Sequence, residues 1–292
     1  MFEPRLSHCI VLWLLTVTAC SAQNDNANSG QAQRLECPAL KSGIYVEHST
    51  SEFGVTYSLE WDTIKRANRW SAYFLNDDNS AENVDRSSGF MADPLLPDAY
   101  KTTDAEYKRT GFNRGHLCPS MDRRANETAN LQTFYLSNIQ PQYKKHNLSI
   151  WKRVENLVHN IWNSSNFRDT LYIVKAATID DDKILSYTWS SLIVPKYFYV
   201  ALLCLKDGAY KAMGIITEHV NKTTRAPIWS DYCVSIDSLE TFTGIDFFCN
   251  LPDSIEDEIE AETNFEAWGV YEGSNDVTTN SKLNKLIDLF NE

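Results

Sequence analysis

The sequence predicts an α+β fold, and three observations carry that prediction. Several short segments are rich in β-branched, aromatic and apolar residues, as strands are. One longer segment repeats its apolar residues at helical spacing. From about Leu35 onward there is no long linker, internal repeat or low-complexity run, which favours one continuous domain. With 43% hydrophobic residues among 292, the chain is long enough to bury one large core or two small ones.

The strands and the helix alternate along the chain, which makes the predicted fold mixed. Strands are predicted at residues 43–48, 56–59, 70–75, 171–175 and 197–205. A helix is predicted over residues 147–162, where apolar positions recur every three or four residues at Trp151, Val154, Val158 and Trp162.

A second helix is predicted in the acidic stretch from Asp253 to Glu262. Its carboxylates could form a metal-binding cluster. The stretch has none of the Gly and Asp spacing of a calcium loop, however, so a solvated helix is the favoured interpretation.

The N-terminal residues 1–20 resemble an export signal of the lipoprotein type. Arg5 precedes an apolar run from Cys9 to Leu15, which is too short for a permanent membrane anchor of about 20 residues. The run ends in Val-Thr-Ala-Cys, which resembles a bacterial lipobox with a lipid on Cys20. Ordinary cleavage near Ala22 is the alternative.

Residues 21–35 then predict a flexible polar tether, and residues 36–292 the folded domain. The expected location is the bacterial cell envelope, at the periplasm or outer surface, or the medium if the protein is secreted. Membrane attachment is expected through the lipid, and the sequence leaves the oligomeric state open.

Cysteine spacing argues against a structural zinc site, because no Cys-x-x-Cys pair occurs. An exported protein favours disulfides, and the proximity of Cys233 and Cys249 in sequence predicts a bridge between them. Five cysteines follow the export signal, so at least one of them must keep a free thiol: Cys37, Cys118, Cys204, Cys233 or Cys249.

The formal net charge of -12 argues against a protein that binds nucleic acid along an extended basic surface. Any contact with phosphate must therefore be local. An acidic exterior is equally typical of a soluble exported protein.

The chemistry-bearing residues fall between Tyr107 and Glu155. Hydrolysis of a phosphodiester needs a base to activate water, a cation to stabilise the developing charge, and groups that position the phosphate. His116 is a candidate base, since a neutral imidazole accepts a proton near neutral pH. Arg114 offers a planar fork for phosphate oxygens, and Gly115 lets the backbone approach a ligand.

Asn147 and Glu155 are candidate metal ligands on the predicted helix. Asn147 stands at its first position, where an asparagine commonly caps the helix, and its amide oxygen also suits a hard cation such as Mg²⁺. Glu155 lies eight residues on, about 80° around a regular α-helix, so it would reach the metal only through water. An ion pair with a nearby Arg or Lys is the other role open to Glu155.

Three ordered blocks in this region resemble the DNA/RNA non-specific endonuclease family of ββα-metal nucleases. They are Asn-Arg-Gly-His at 113–116, Ser-Asn-Ile-Gln-Pro-Gln at 137–142, and Asn-x-x-x-Trp-x-x-Val-Glu at 147–155. Weaker similarity runs from about Tyr57 to Pro252. The resemblance implies a central antiparallel sheet with a ββα-metal finger motif.

The resemblance also implies an activity and a role for each motif residue. The activity is Mg²⁺-dependent hydrolysis of DNA and RNA, with Mn²⁺ as a possible substitute and 5′-phosphate products. His116 is implied as general base and Asn147 as the direct metal ligand. Asn138 and Glu155 are implied as supporting residues, with Glu155 acting through metal-bound water.

The arginines and the first motif position complete the expected site. Arg114 is implied to position phosphate, and Arg86 to stabilise the transition state. Asn113 is expected to help position the substrate, but the family usually has Asp here. Loss of that carboxylate puts in doubt the orientation of Arg114 and the tuning of His116.

Two other functions remain open from the sequence. A nuclease-fold protein with weakened catalysis could bind nucleic acid or a surface partner, which Asn113 alone favours. An exported hydrolase of sugar polymers with paired carboxylates is favoured only by the acidity and the tryptophans.

Overall fold

The computed structural model describes residues 34–277, and its centre is a seven-stranded antiparallel sheet in the order β1-β2-β3-β6-β9-β10-β11. Every predicted strand is present in this sheet, so the α+β prediction is confirmed. Two small antiparallel pairs, β4-β5 and β7-β8, lie outside it. The strands are β1 Ile44–Thr50, β2 Gly54–Asp62, β3 Ala67–Leu75, β4 Asn113–His116, β5 Ile139–Gln142, β6 Thr170–Ala177, β7 Ile184–Tyr187, β8 Ile193–Pro195, β9 Tyr197–Lys206, β10 Ala209–Glu218 and β11 Cys233–Val234.

Helices pack against both faces of the large sheet. Alternate residues of β9 point to opposite faces, as the strand period requires: Val200 and Leu202 join one buried cluster, while Ala201 and Leu203 join another. The helices are α1 Asp104–Tyr107, α2 Glu127–Gln132, α3 Lys144–His146, α4 Lys152–Asn156, α5 Ile236–Thr243 and α6 Asp253–Glu260. The first cluster includes α4, and the second includes α5 and α6.

The β4-β5 pair and the helix after it form the predicted ββα unit. β4 and β5 pair in register from Asn113–Gln142 to His116–Ile139. Gly115 is required at its position, because a Cβ there would lie 2.3 Å from Oε1 of Gln142. The glycine therefore lets the two strands approach closely, and β5 leads directly into the helix.

That helix is longer and less regular than predicted. It runs from 144 to 162, with π-helical turns at Asn147–Trp151 and Leu157–Trp162 on either side of α4. Asn147 is therefore not an N-cap: the helix begins at Lys144, and Asn147 already has helical dihedral angles of φ -57 and ψ -44. The predicted helix is confirmed, but the capping role of Asn147 is wrong.

The predicted disulfide between Cys233 and Cys249 is also wrong, because Cys233 carries a free thiol. Cys233 packs into the cluster that contains the long helix. The neighbours of Cys249, Phe248 and Leu251, pack into the cluster on the other face of the sheet. Proximity in sequence therefore did not bring the two sulfur atoms together.

Within residues 34–277, no helix combines the length and the hydropathy that crossing a bilayer requires. The predicted export signal and most of the tether lie outside the described residues.

Candidate active site

A surface cavity of about 300 Å³ gathers five of the residues that the motifs predict. It is lined by His116 from β4, Asn147 and Glu155 from the long helix, Arg114 from β4, and Arg86 from the loop after β3. The His116 imidazole and the Asn147 carboxamide, on which the predicted site depends, therefore line the same cavity.

His116 lies at the inner wall of this cavity and is only 8% exposed. Its ring packs against both Phe90 and Phe134, with centroid distances of 5.5 and 5.0 Å, and those two rings also contact each other at 5.3 Å. Its Nε2 is buried and has no hydrogen-bond partner. Burial, with the positive charge of Arg86 as a second cause, lowers the pKa of His116 to about 3. The imidazole is thus neutral at physiological pH and has a nitrogen available to accept a proton.

Asn138 lies behind the cavity wall and does not line it. It is fully buried, and its amide makes four hydrogen bonds. Its Oδ1 accepts from the Cys118 backbone and the Ser71 hydroxyl, at 2.8 and 3.0 Å. Its Nδ2 donates to the carbonyls of Cys118 and Thr133. Asn138 therefore fixes the backbone that follows His116.

The two predicted metal ligands share one side of the long helix. A π turn uses more residues per turn than an α turn, so the eight residues from Asn147 to Glu155 come close to two complete turns. The regular α-helix assumed from the sequence would have rotated Glu155 away. Both residues line the cavity as a result.

The residues present fit a hard divalent cation. The Asn147 carboxamide is partly exposed in the cavity and has no hydrogen-bond partner among the described residues, so its oxygen is free to bind. Burial raises the pKa of the Glu155 carboxyl to about 7, an increase that the Lys175 charge partly offsets. A cation bound nearby would favour the ionised form of this carboxyl, so the Glu155 side chain suits a site for a positive ion.

Lys175 is a feature that the motifs did not predict. It is fully buried on β6, and its ammonium has no hydrogen-bond partner. Its charge favours the ionised forms of Glu155 and Asp122. Lys175 thus stabilises negative charge behind the cavity.

Arg114 is held by a carboxylate that the sequence analysis missed. Its Nη2 donates to Oδ1 of Asp104, at the start of α1, and its guanidinium lies over the rings of Phe90 and Tyr107, at 5.2 and 5.5 Å from their centroids. Nothing in the sequence distinguishes Asp104 from other surface acids. Asn113 does not line the cavity.

Arg86 lines the cavity and packs against one of the aromatic rings beside His116. Its guanidinium carbon lies 4.9 Å from the centroid of the Phe134 ring, the same ring that packs against His116. Two groups of the chain also hold the segment before it: Arg124 Nε donates to the Val84 carbonyl, and His159 Nε2 lies 3.0 Å from Oε1 of Glu82. The loop that carries Arg86 is thereby tied to the long helix.

A second cavity adjoins the first and is basic. The two share Leu148, Lys152 and Asn156, and the second adds Arg153 and Arg225. Lys152, Arg153 and Arg225 form no ion pair with any described residue. On a chain with a net charge of -12, three unpaired cations beside one site form a local basic surface.

The model of the DNA/RNA non-specific endonuclease family matches residues 38–254 of this chain. Similar proteins include the mitochondrial nuclease EXOG of Danio rerio, 29% identical over 220 residues, which cover 70% of this chain and 63% of that protein. A nuclease of Nostoc sp. is 28% identical over 214 residues, covering 70% of this chain and 76% of that protein. The chain thus spans less than two thirds of the length of the Danio rerio relative.

The fold has a solved counterpart in the crystal structure of the EndoG/EndoGI complex. One chain of that structure superposes with a TM-score of 0.63 at 22% sequence identity, over 78% of this chain and 94% of the other. At this identity the likeness concerns the fold, which agrees with the predicted ββα-metal architecture.

Proposed function

Because this chain belongs to the DNA/RNA non-specific endonuclease family, we propose that it hydrolyses phosphodiester bonds in DNA and RNA, with His116 as general base and Asn147 as ligand of Mg²⁺. The observation that carries the proposal is the meeting of His116 and Asn147 in one cavity, together with Glu155. Mn²⁺ is expected to substitute for Mg²⁺, and the products to carry 5′-phosphates.

His116 takes the proton of the attacking water. A general base must be unprotonated and must present a free lone pair. The lowered pKa of His116 supports the first condition, and the unpartnered Nε2 supports the second. Packing against two phenylalanine rings holds the imidazole in one orientation, so little reorganisation is needed when the water binds.

The phosphate is positioned by the two arginines. Arg114 lies over the Phe90 ring and Arg86 over the Phe134 ring; both line the cavity and offer donors to the non-bridging oxygens. A divalent cation at Asn147, with Glu155 contacting it through water, would neutralise charge on the leaving 3′-oxygen. Asn138 maintains the backbone behind His116.

A nucleic-acid backbone suits the surface beside this site. Lys152, Arg153 and Arg225, which form no ion pair with a described residue, continue from the catalytic cavity into the adjoining one. Contacts with phosphates carry no sequence information, so they support cleavage without sequence preference.

The test is cleavage of supercoiled plasmid and of RNA with Mg²⁺, with EDTA, and by the His116→Ala variant. We expect EDTA to abolish cleavage and His116→Ala to lower kcat about 10²- to 10⁴-fold, the usual contribution of a general base. The variant should keep the melting temperature of the native protein within a few degrees, which separates lost chemistry from lost folding. Equal rates for the two proteins would refute the proposal.

The metal ligand is tested separately by Asn147→Ala, with Asn160→Ala as matched control. Asn160 lies on the same helix and is exposed. Asn147→Ala should raise the Mg²⁺ concentration needed for half-maximal rate at least about tenfold, while Asn160→Ala should leave it unchanged. The same Mg²⁺ requirement in both variants would exclude Asn147 as the ligand.

Weakened catalysis was open because Asn113 replaces the usual Asp. The contact between Asp104 and Arg114 weakens that alternative, since a carboxylate still orients the arginine. Activity is therefore the favoured proposal.

Export to the bacterial envelope with a lipid at Cys20 is proposed on the sequence alone. Fractionation of the native chain and of Cys20→Ser tests it: the native protein should pellet with membranes, and the variant should be soluble after export. Recovery of both in the soluble fraction would favour cleavage near Ala22.

A further inference from the structure

A cluster of carboxylates lies on the face of the sheet opposite the catalytic cavity. It forms where α5 and α6 meet, because Ile236 and Leu239 of α5 and Ile259 of α6 pack into the same buried apolar cluster. Burial of these residues also brings together the acids beside them.

Three side chains of the cluster converge on one point. One carboxylate oxygen each of Asp237, Glu240 and Glu260 lies within 4.8 Å of the other two. Two ligands bound to one Ca²⁺ at about 2.4 Å can be at most about 4.8 Å apart, so each pair of these oxygens is within the limit for sharing one ion.

Glu260 is the member that a solvated helix does not explain. It is only 5% exposed, and its buried Oε1 has no hydrogen-bond partner. Leaving a carboxylate oxygen buried without a partner is costly, because it loses the hydration that would otherwise stabilise it. This oxygen requires a donor or a cation.

The surroundings of Glu260 supply more negative charge rather than compensation. The charged groups with the largest effect on its pKa are Glu240, Glu256, Asp246 and Asp237, and together with burial they raise the pKa of Glu260 to about 10. Burial and neighbouring acids likewise raise the pKa of Glu240 and Glu256 to about 7. None of these five acids forms an ion pair with a Lys or Arg among residues 34–277.

We propose that Asp237, Glu240 and Glu260 bind a hard divalent cation, Ca²⁺, and thereby join α5 to α6. Ca²⁺ accepts six to eight oxygen ligands in flexible geometry, so three carboxylates and water complete its shell. Asp237 is exposed and Glu240 partly buried, which leaves an open side for those waters. Mg²⁺ demands a more regular octahedron and keeps more of its own water, so it should bind this site more weakly.

The proposed site is independent of the nuclease activity, because the sheet separates it from the cavity with His116. Its role is structural: the cation takes the place of the proton that the raised pKa keeps on Glu260, and its bonds to both helices hold α5 against α6. The acidic stretch that favoured a solvated helix from sequence thus contributes Glu260 to a site shared with another helix.

The experiment is calorimetric titration of the full chain with CaCl₂ after treatment with EDTA. All proteins in the titration carry the background substitution Asn147→Ala, which removes the proposed metal ligand of the catalytic cavity. The titration then counts only the Ca²⁺ bound at the second site. Glu260→Gln is the test variant, and Glu258→Gln is the matched control, since Glu258 is exposed on the same helix and lies outside the cluster.

We expect one Ca²⁺ per chain in the background and control proteins, and none in Glu260→Gln. Saturating Ca²⁺ should also raise the melting temperature by about 5 °C in the first two proteins alone. Absence of a Ca²⁺ response in the background protein would overturn the proposal, as would an equal response in Glu260→Gln. A melting temperature of Glu260→Gln close to that of the Ca²⁺-free background shows that the variant folds, since the amide and the protonated Glu260 carboxyl are both neutral.

Discussion

The two faces of the seven-stranded sheet carry opposite kinds of unpaired charge. On the face of the long helix, Lys152, Arg153 and Arg225 extend from the cavity of His116 and form no ion pair with an acid among residues 34–277. On the face of α5 and α6, Asp237, Glu240 and Glu260 converge, and none of them pairs with a Lys or Arg in the part of the chain that the structure describes.

The difference teaches that net charge is a poor guide to what this protein binds. A net charge of -12 for the whole chain argues against binding of nucleic acid. The charge is unevenly distributed, however, because Lys152, Arg153 and Arg225 lie together beside one site and form no ion pair with a described residue. Elsewhere cations are neutralised locally, as in the pairs Lys65–Asp181 and Lys206–Asp169. Unpaired like charges held together are where a ligand of opposite charge is expected.

The largest expected effect within this comparison comes from removing the basic surface. In the double variant Arg153→Ala/Arg225→Ala, we expect KM for double-stranded DNA to rise about tenfold or more with kcat little changed, because these cations bind phosphates away from the scissile bond. The slope of log(kcat/KM) against log[salt] should become shallower by about 2, one for each lost phosphate contact.

The control for that variant is Lys65→Ala/Lys206→Ala, which removes two cations that are already paired. The overall charge changes by the same amount, so a nonspecific charge effect would appear in both proteins. Equal changes in KM and in salt slope would show that the basic surface does not contact substrate.

A smaller effect is expected from the carboxylate that holds Arg114. Asp104→Asn should lower kcat/KM about fivefold, because a neutral amide orients the guanidinium less firmly than a charge-assisted hydrogen bond does. If Asp104 supplies the charge that Asn113 lacks, then Asn113→Asp should restore much of the rate in the Asp104→Asn background and add little to the native protein. Failure of this rescue, or a large gain from Asn113→Asp alone, would contradict the compensation.

Those predictions show where sequence reasoning succeeded and where it could not. Four of the predicted residues, Arg114, His116, Asn147 and Glu155, lie on β4 and on the helix that follows β5, so their convergence follows from local structure, whereas Arg86 joins them from the loop after β3. Asp104 and Lys175 could not be found in the same way, because their contacts with the site depend on the tertiary packing of α1 and β6.

Two features of regular structure were also hidden in the sequence. β10 was missed because Lys211 and Gly214 interrupt its apolar character, and Gly214 is needed where the side chains of Val234 and Leu239 approach. The π turns were not anticipated either, and the first of them, at Asn147–Trp151, brings Glu155 round towards the side of Asn147.

The smallest expected effect concerns the protonation of His116. Its pKa of about 3 means that the imidazole stays neutral from pH 8 down to pH 5, so its ring resonances in NMR should hardly move in that range without metal. In the unfolded chain the group binds a proton below about 6.5, so its contribution to the free energy of unfolding is present above that pH and is lost as the pH falls towards 3.

Variants on the two faces of the sheet, Arg86→Ala and Glu260→Gln, should affect the His116 resonances differently. Loss of that positive charge should raise the pKa of His116 slightly, because Arg86 is the second cause of its depression after burial. Glu260→Gln on the opposite face should leave the His116 resonances unchanged. A His116 midpoint near 6.5 in the native protein would mean that the ring is more hydrated than its packing against Phe90 and Phe134 implies, and the base would then be half protonated at that pH.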